Sequence, residues 1–245
     1  MLKMKNNFYL LLIVIVCSLC LVSCEDNEFV LTESGFENGY SYVDLGLPSG
    51  LKWATRNIGA TCPEDYGLYF AWGEVESNIR EISGGNFNLF NEGNYKWYLS
   101  HEYVEGAYIV DEIIKYNTID NKKVLDPEDD AAVVNMGGTW HMPSVDDWLE
   151  LFSVCEHELK IMNSVKGVIF KAPNGNSIFF PSAGTIGWEC NYLGLYWLNS
   201  LNDTNRANTL GFQEYYREHV QTFFNDQNLR TRSRELGLPI RAVCE

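Results

Sequence analysis

Three kinds of side chain in this sequence are grouped closely enough to do chemistry. The first is a run of hard-oxygen donors, Asp126-Pro127-Glu128-Asp129-Asp130. Carboxylates in such a run can ligate calcium. A proline followed by acids is also how a solvated helix start reads, because acids favour the positive end of the helix dipole. We therefore expect no metal there and no cofactor elsewhere. The second group lies in residues 185–217, which are dense in aromatic and amide side chains. Tyr, Trp and Asn suit adaptable recognition surfaces, and aromatic faces can stack on sugar rings. Trp188, Asn191, Tyr192, Trp197, Asn199, Asn202 and Arg206 are the candidate ligand-binding residues. Tyr196 and Trp197 are adjacent in an expected strand, so they point to opposite faces and only one can line a given surface. The third group is sulfur, considered below.

Catalytic signatures are missing. His101, His141, His157 and His219 are scattered, with no H-E-x-x-H or H-x-H spacing. There is no G-x-S-x-G, P-loop or G-x-G-x-x-G. A glycosidase pair cannot be singled out among 33 acidic residues. No catalytic residue is assigned.

The first two dozen residues give an address. Lys3 and Lys5 precede an apolar run from Phe8 to Val22, too short to span a bilayer comfortably, so residues 1–23 read as a cleaved signal. Leu21-Val22-Ser23-Cys24 resembles the bacterial lipobox, which makes Cys24 the lipidated first residue of the exported chain. Glu25-Asp26-Asn27-Glu28 behind it resembles the surface-export signal of Bacteroidetes-type lipoproteins. The expected location is the outer membrane, facing outward, with the membrane engaged through lipid. The formal charge of −15 repels nucleic acid phosphates. Of seven cysteines, Cys17 and Cys20 leave with the signal and Cys24 carries lipid. Cys62, Cys155, Cys190 and Cys244 remain, an even number that suggests two disulfides in any of three pairings. They lack the C-x-x-C spacing of a zinc site.

The elements that must position these groups read as follows. Residues 24–41 are polar and acidic, a flexible tether, and order is expected from Tyr42 to residue 245. Tyr42–Leu47 and Leu51–Ala54 flank Pro48-Ser49-Gly50 as a hairpin. Residues 77–115 have no steady period and form an irregular insertion with at most short elements. A helix follows Pro127 and stops near Gly137. The clearest helix starts at Ser144, with Asp147 completing a capping box and Trp148, Leu151, Phe152 and Cys155 forming an apolar stripe. Asn174-Gly175 between two β-rich runs marks a hairpin. Further strands are expected at Leu195–Asn199, Thr209–Tyr216, His219–Phe224 and Pro239–Cys244. The order is α+β with mostly antiparallel sheets.

Several phrases recur in one family. They are Val43–Ala54, Pro63-Glu64-Asp65-Tyr66-Gly67, Phe70-Ala71-Trp72-Gly73-Glu74 and Leu125–Ala132. Gly137–Ser144, Asn174–Phe179 and Pro239–Val243 complete the series. Together they resemble the Fibrobacter succinogenes major paralogous domain, over residues 42–245. The resemblance implies a C-type lectin-like fold with two helices, small sheets and chain ends on neighbouring strands. It implies that Gly137 to Leu151 carries the turn into the second helix. Tyr196, Trp197 and their loops would then sit at the ligand-facing end. It also implies a Cys62–Cys244 bridge, leaving Cys155 with Cys190. The Glu-Pro-Asn and Trp-Asn-Asp phrases of calcium-dependent lectins of this fold are absent, as is the Gly-Asn-Val-Trp-Glu-Trp phrase of sulfatase-modifying enzymes. The expected function is a surface-anchored, non-catalytic binding module for glycan, peptide or another envelope or host component. The alternatives are a structural or fimbria-like subunit and a polysaccharide or peptidoglycan hydrolase.

Overall fold

In the computed structural model the residues described are 31–77, 81–82, 86–87, 95–99, 101–104, 107–110, 112–185, 193–215, 219–222 and 230–245. Order starts earlier than the composition suggests. Asn38 and Gly39 take positive φ (45° and 83°) and fold strand β1 (Gly35–Glu37) onto β2 (Tyr40–Val43), pairing Glu37 with Tyr40. Two left-handed residues at an Asn-Gly turn match the right-handed twist of a tight hairpin. Residues 35–41, assigned to the tether, therefore belong to the sheet, and residues 31–245 form one unit; residues 24–30 lie outside the described residues.

The first sheet has the order β1, β2, β3 (Lys52–Ala54) and β15 (Val243–Cys244). The expected hairpin around Pro48 supplies β2 and β3, with Val43 opposite Trp53. The last strand thus joins the sheet that the first strands begin. Two short hairpins occupy the insertion: β4 (Glu81–Ile82) with β5 (Asn86–Phe87), and β6 (His101–Val104) with β7 (Ala107–Val110). A second sheet holds β8 (Glu156–Met162), β9 (Val165–Lys171) and β10 (Ser177–Pro181). The β9–β10 turn is the expected Asn174-Gly175 hairpin. The β8 strand, not expected from the sequence, folds back through Asn163 and Ser164, both at positive φ. A third sheet pairs β11 (Leu193–Leu201) with β12 (Arg206–Tyr215). Both β13 (His219–Thr222) and β14 (Arg230–Ser233) pair with β12.

Both helices are short and capped from their own sequence. Pro127–Asp129 make a 3-10 turn, after which Asp130 caps α1 (Ala131–Met136) by accepting from the backbone N–H of Ala132 and Val133. Gly137, at φ 65°, ends it. Ser144 and Asp147 form the expected capping box of α2 (Val145–Val154), which buries Trp148 and Leu151. No described helix is long and apolar enough to cross a membrane.

The β11 strand separates two cores. Leu195 and Trp197 face one, with Trp72, Tyr116, Trp140 and Leu238. Tyr196 and Leu198 face the other, with Trp53, Trp148, Phe170 and Phe180. In the second core Trp148 meets Trp53, Phe170 and Phe180 edge-on, with centroids 5.4–6.0 Å apart, the geometry that ring quadrupoles prefer. Alternation along β11 places its two aromatics on opposite faces as expected, but both faces are covered. Trp197 is fully buried, and its indole N–H donates to the Phe70 carbonyl (2.7 Å). It is a core residue, which corrects its assignment to a ligand surface.

The bridge implied by the resemblance does not form. Cys62, Cys155 and Cys244 are free thiols. Cys244 is packed into the first core and Cys155 into the second, while Cys62 lies half-buried in the loop after Ile58. Burial pushes the Cys155 and Cys244 thiols up to about 11. Cys190 and Cys24 lie outside the described residues.

Candidate functional site

Two polar loops meet at the end of the β11–β12 hairpin. The first, residues 116–123, is shaped by its own side chains. Asn117 Oδ1 accepts from the N–H of Ile119 and Asp120, and the Asp120 carboxylate accepts from those of Tyr116, Asn117 and Lys122. Such local bonds from Asn and Asp are why these residues favour turns. The second loop, between Leu201 and Arg206, is closed the same way: Asp203 Oδ1 accepts from Asn205 N–H and Arg206 N–H. Between them lies a groove of about 290 Å³, lined by residues of both loops and floored by Tyr116 and Leu201. Its size sits near the lower end of small-molecule sites, roughly 300 Å³.

Long-range bonds lock the two walls. Leu201 N–H donates to Lys123 O (2.7 Å), and Leu125 N–H to Asn199 O (3.0 Å). Beneath them Arg234 is fully buried. Its Nη1 donates to the carbonyls of Tyr116 (3.1 Å) and Thr204 (3.0 Å), one in each wall. Its Nη2 donates to Lys115 O (3.1 Å), and its Nε to the Tyr95 hydroxyl (3.1 Å). The rings of Trp72, Tyr95 and Tyr116 lie 5.1–5.9 Å from the guanidinium centre, within cation–π range.

Tyr116 is held in a conformation that a bulky residue seldom adopts, with φ 59°. Such a backbone costs on the order of 1–3 kcal/mol and persists only when its surroundings fix it. Here its hydroxyl donates to Asp129 Oδ2 (2.7 Å) and accepts from Asp126 N–H (2.8 Å). Burial and the neighbouring Asp129 carboxylate push this hydroxyl above the usual tyrosine range. Asp129 also receives Lys96 (3.0 Å) and Lys115. Burial works against the Asp129 carboxylate, but hydrogen bonds from Lys115, Tyr116 and Lys96 outweigh it and hold its pKa below 3.8. Burial likewise works against the Lys115 ammonium, and its bonds to Asp126 and Asp129 more than offset that.

Asp126, Glu128 and Asp129 are the one group among the described residues whose oxygens converge as a metal's ligands would. The Lys115 ammonium already lies among them, 2.8 Å from Asp126 and 3.7 Å from Glu128. With Lys96 on Asp129 and Lys122 on Asp126, three ammonium groups of the chain itself balance the three acids.

The expected binding residues divide. Asn202 lines the groove, with its Nδ2 donating to Asp203 (3.1 Å). Arg206 is exposed beside it but donates to the Thr231 hydroxyl and carbonyl. Asn199 is half-buried, and its backbone bonds Pro143 and Leu125. Trp197 is core, and Trp188, Asn191 and Tyr192 lie outside the described residues. Sequence reasoning missed Thr118, Asn121, Lys123, Thr204 and Arg234. The run Asn117-Thr118-Ile119-Asp120-Asn121-Lys122-Lys123 carries the same amide-rich signal as residues 185–217 and could have been found by it. Arg234 has no such signal.

No family model, no curated protein and no solved structure matches this chain.

Proposed function

We propose that this chain is a lipid-anchored, non-catalytic binding module of C-type lectin-like architecture, and that the groove between residues 116–123 and 201–204 is its recognition site. Two helices, small antiparallel sheets and a last strand paired beside the first ones support the architecture. One observation carries the site: its walls are fixed while its lining stays available. Asn117, Asp120 and Asp203 are consumed in shaping the loops. Among the described residues, no hydrogen bond or ion pair engages the side chains of Thr118, Asn121, Lys123 or Thr204. Rigid walls with uncommitted donors and acceptors reduce the ordering cost of binding.

The lining does not suit hydrolysis. Its sole acid is Asp203, whose oxygens accept from two backbone N–H groups and from Asn202. It also suits recognition without calcium, since the nearest converging carboxylates hold Lys115. The ligand is a glycan or another envelope or host component, displayed at the outer surface by lipid on Cys24. A glycan and protein array probed with the purified protein tests this. Binding that Asn121→Ala or Thr204→Val weakens supports the site, and binding indifferent to both places recognition elsewhere. Cys24→Ser should abolish lipid labelling and membrane fractionation; retention of both would remove the anchor from the proposal.

A further inference from the structure

Two lysines line the groove, Lys122 and Lys123, and Lys115 precedes its floor residue Tyr116; they differ in what holds them. Lys115 is bound by Asp126, Glu128 and Asp129. Lys122 donates to Asp126 (2.6 Å). Lys123 is exposed, lines the groove and has no side-chain partner among the described residues. Its position is nevertheless fixed, because its carbonyl accepts from Leu201 N–H across the groove. This is notable in a chain with 33 acidic and 18 basic residues, where acids are in surplus for pairing. The groove's own acid cannot serve, since Asp203 is committed to its turn.

Among the described residues the other uncommitted groups are two hydroxyls, on Thr118 and Thr204, and the Asn121 amide, with the carbonyl oxygen of the Asn202 amide beside them. Hydroxyls and amides both donate and accept, as the hydroxyls of a sugar do. The floor offers no stacking platform, because Tyr116 is fully buried. Lys122 also lines the groove but is bound to Asp126, so recognition here is by hydrogen bonds around one uncommitted cation, Lys123. From this geometry we propose that the groove binds an acidic saccharide, with the carboxylate of a uronic acid on Lys123 and its hydroxyls on Thr118, Asn121 and Thr204. The proposal rests on the groove being the recognition site and goes further in assigning the ligand's charge.

The test is calorimetric titration of the purified protein with galacturonate, glucuronate and mannuronate oligosaccharides and with the carboxyl-reduced counterpart of each. The expected result is binding of at least one acidic oligosaccharide and about tenfold weaker binding of its reduced form, a 1.4 kcal/mol difference. Lys123→Gln should bring the acid down to the level of the reduced form and leave the reduced form unchanged. Added salt should weaken only the acid, as screening requires. Equal binding of acid and reduced forms, unaffected by Lys123→Gln but weakened by Asn121→Ala, overturns the charge assignment and leaves the groove standing. A Lys123→Gln loss that is equal for both forms also overturns it. No binding of either series, or binding that Lys123→Gln, Asn121→Ala and Thr204→Val all leave intact, overturns it as well, and in the second case the groove reading falls too.

Discussion

Among the described residues two arginines are buried, and their surroundings differ. Arg234 lies beneath the groove with all three guanidinium nitrogens bonded and three aromatic rings around it. Arg241 lies between the first sheet and the second core. Its Nε donates to Asn57 Oδ1 (2.8 Å) and its Nη1 to Ala54 O (3.1 Å), while Nη2 has no partner among the described residues. The Phe180 ring lies 4.5 Å from its centre. Burial pulls the Arg241 pKa down to about 10, against the opposing influence of Tyr196. Neither guanidinium meets a carboxylate within bonding distance among the described residues. A buried cation without an acid is costly unless its donors are satisfied. Arg234 meets that condition with carbonyls drawn from separate loops, and so it organises a site. Arg241 meets it in part and crosslinks loop 54–57 to the last strand segment.

The comparison breaks most visibly at Arg234. Arg234→Met leaves the buried carbonyl of Tyr116 and the half-buried carbonyls of Lys115 and Thr204 without their donor. Unsatisfied buried acceptors cost about 1–3 kcal/mol each, so a loss of about 3 kcal/mol is expected by urea denaturation. Binding at the groove should fall with it. A variant as stable as the parent would show that the walls stand without the guanidinium. Arg241→Met should cost less, about 1 kcal/mol, because an apolar side chain of similar volume relieves one unbonded nitrogen while orphaning two acceptors. A loss equal to that at Arg234 would erase the distinction.

Acid sharpens the contrast. The folded-state pKa of Asp129 is held below 3.8. Its contribution is therefore present above 3.8 and is lost as pH falls through the lower folded value. Asp130 runs the other way. Burial, only partly offset by the N–H groups of Met142, Val133 and Ala132, raises its pKa above 3.8. Its protonation thus favours the fold as pH falls through that raised value. Asp129→Asn should flatten the loss of stability below pH 3.8 in denaturation series, and an unchanged slope would separate Asp129 from acid unfolding. The smallest effect belongs to the groove lining. Asn121→Ala should change stability by less than about 0.5 kcal/mol, as exposed substitutions do, while weakening whatever binds. A larger stability loss would make Asn121 part of the scaffold.

What the sequence discloses tracks the range of the interactions. The α2 capping box, the Gly137 stop and the Asn174-Gly175 hairpin rest on residues a few positions apart, and each is legible. The β1–β2 turn carries an equally local Asn-Gly signal, but the surrounding acidity and the three-residue length of β1 masked it. Trp197 shows a different limit. Period-two alternation places it opposite Tyr196, but no local pattern tells whether a face is covered. Here Leu238 and Trp72 cover one face and Phe180 and Trp148 the other. The groove was the least legible part. Its walls and its clamp come from residues 116–123, 201–204 and 234, joined only by folding.

The pairing of β15 with β3 has a consequence in time. Val243 sits opposite Trp53, Arg241 bonds Asn57, and Leu238 bridges Phe70. Each contact spans well over a hundred residues. Closing loops of that length costs entropy before any contact repays it, which makes such topologies slow to fold. The first sheet lacks its closing strand until residues 238–244 have arrived. A nascent chain therefore carries an unsealed first sheet, with Trp53 and Ala54 awaiting their partners. Cleavage near residue 237 should return a mature molecule to that unfinished state.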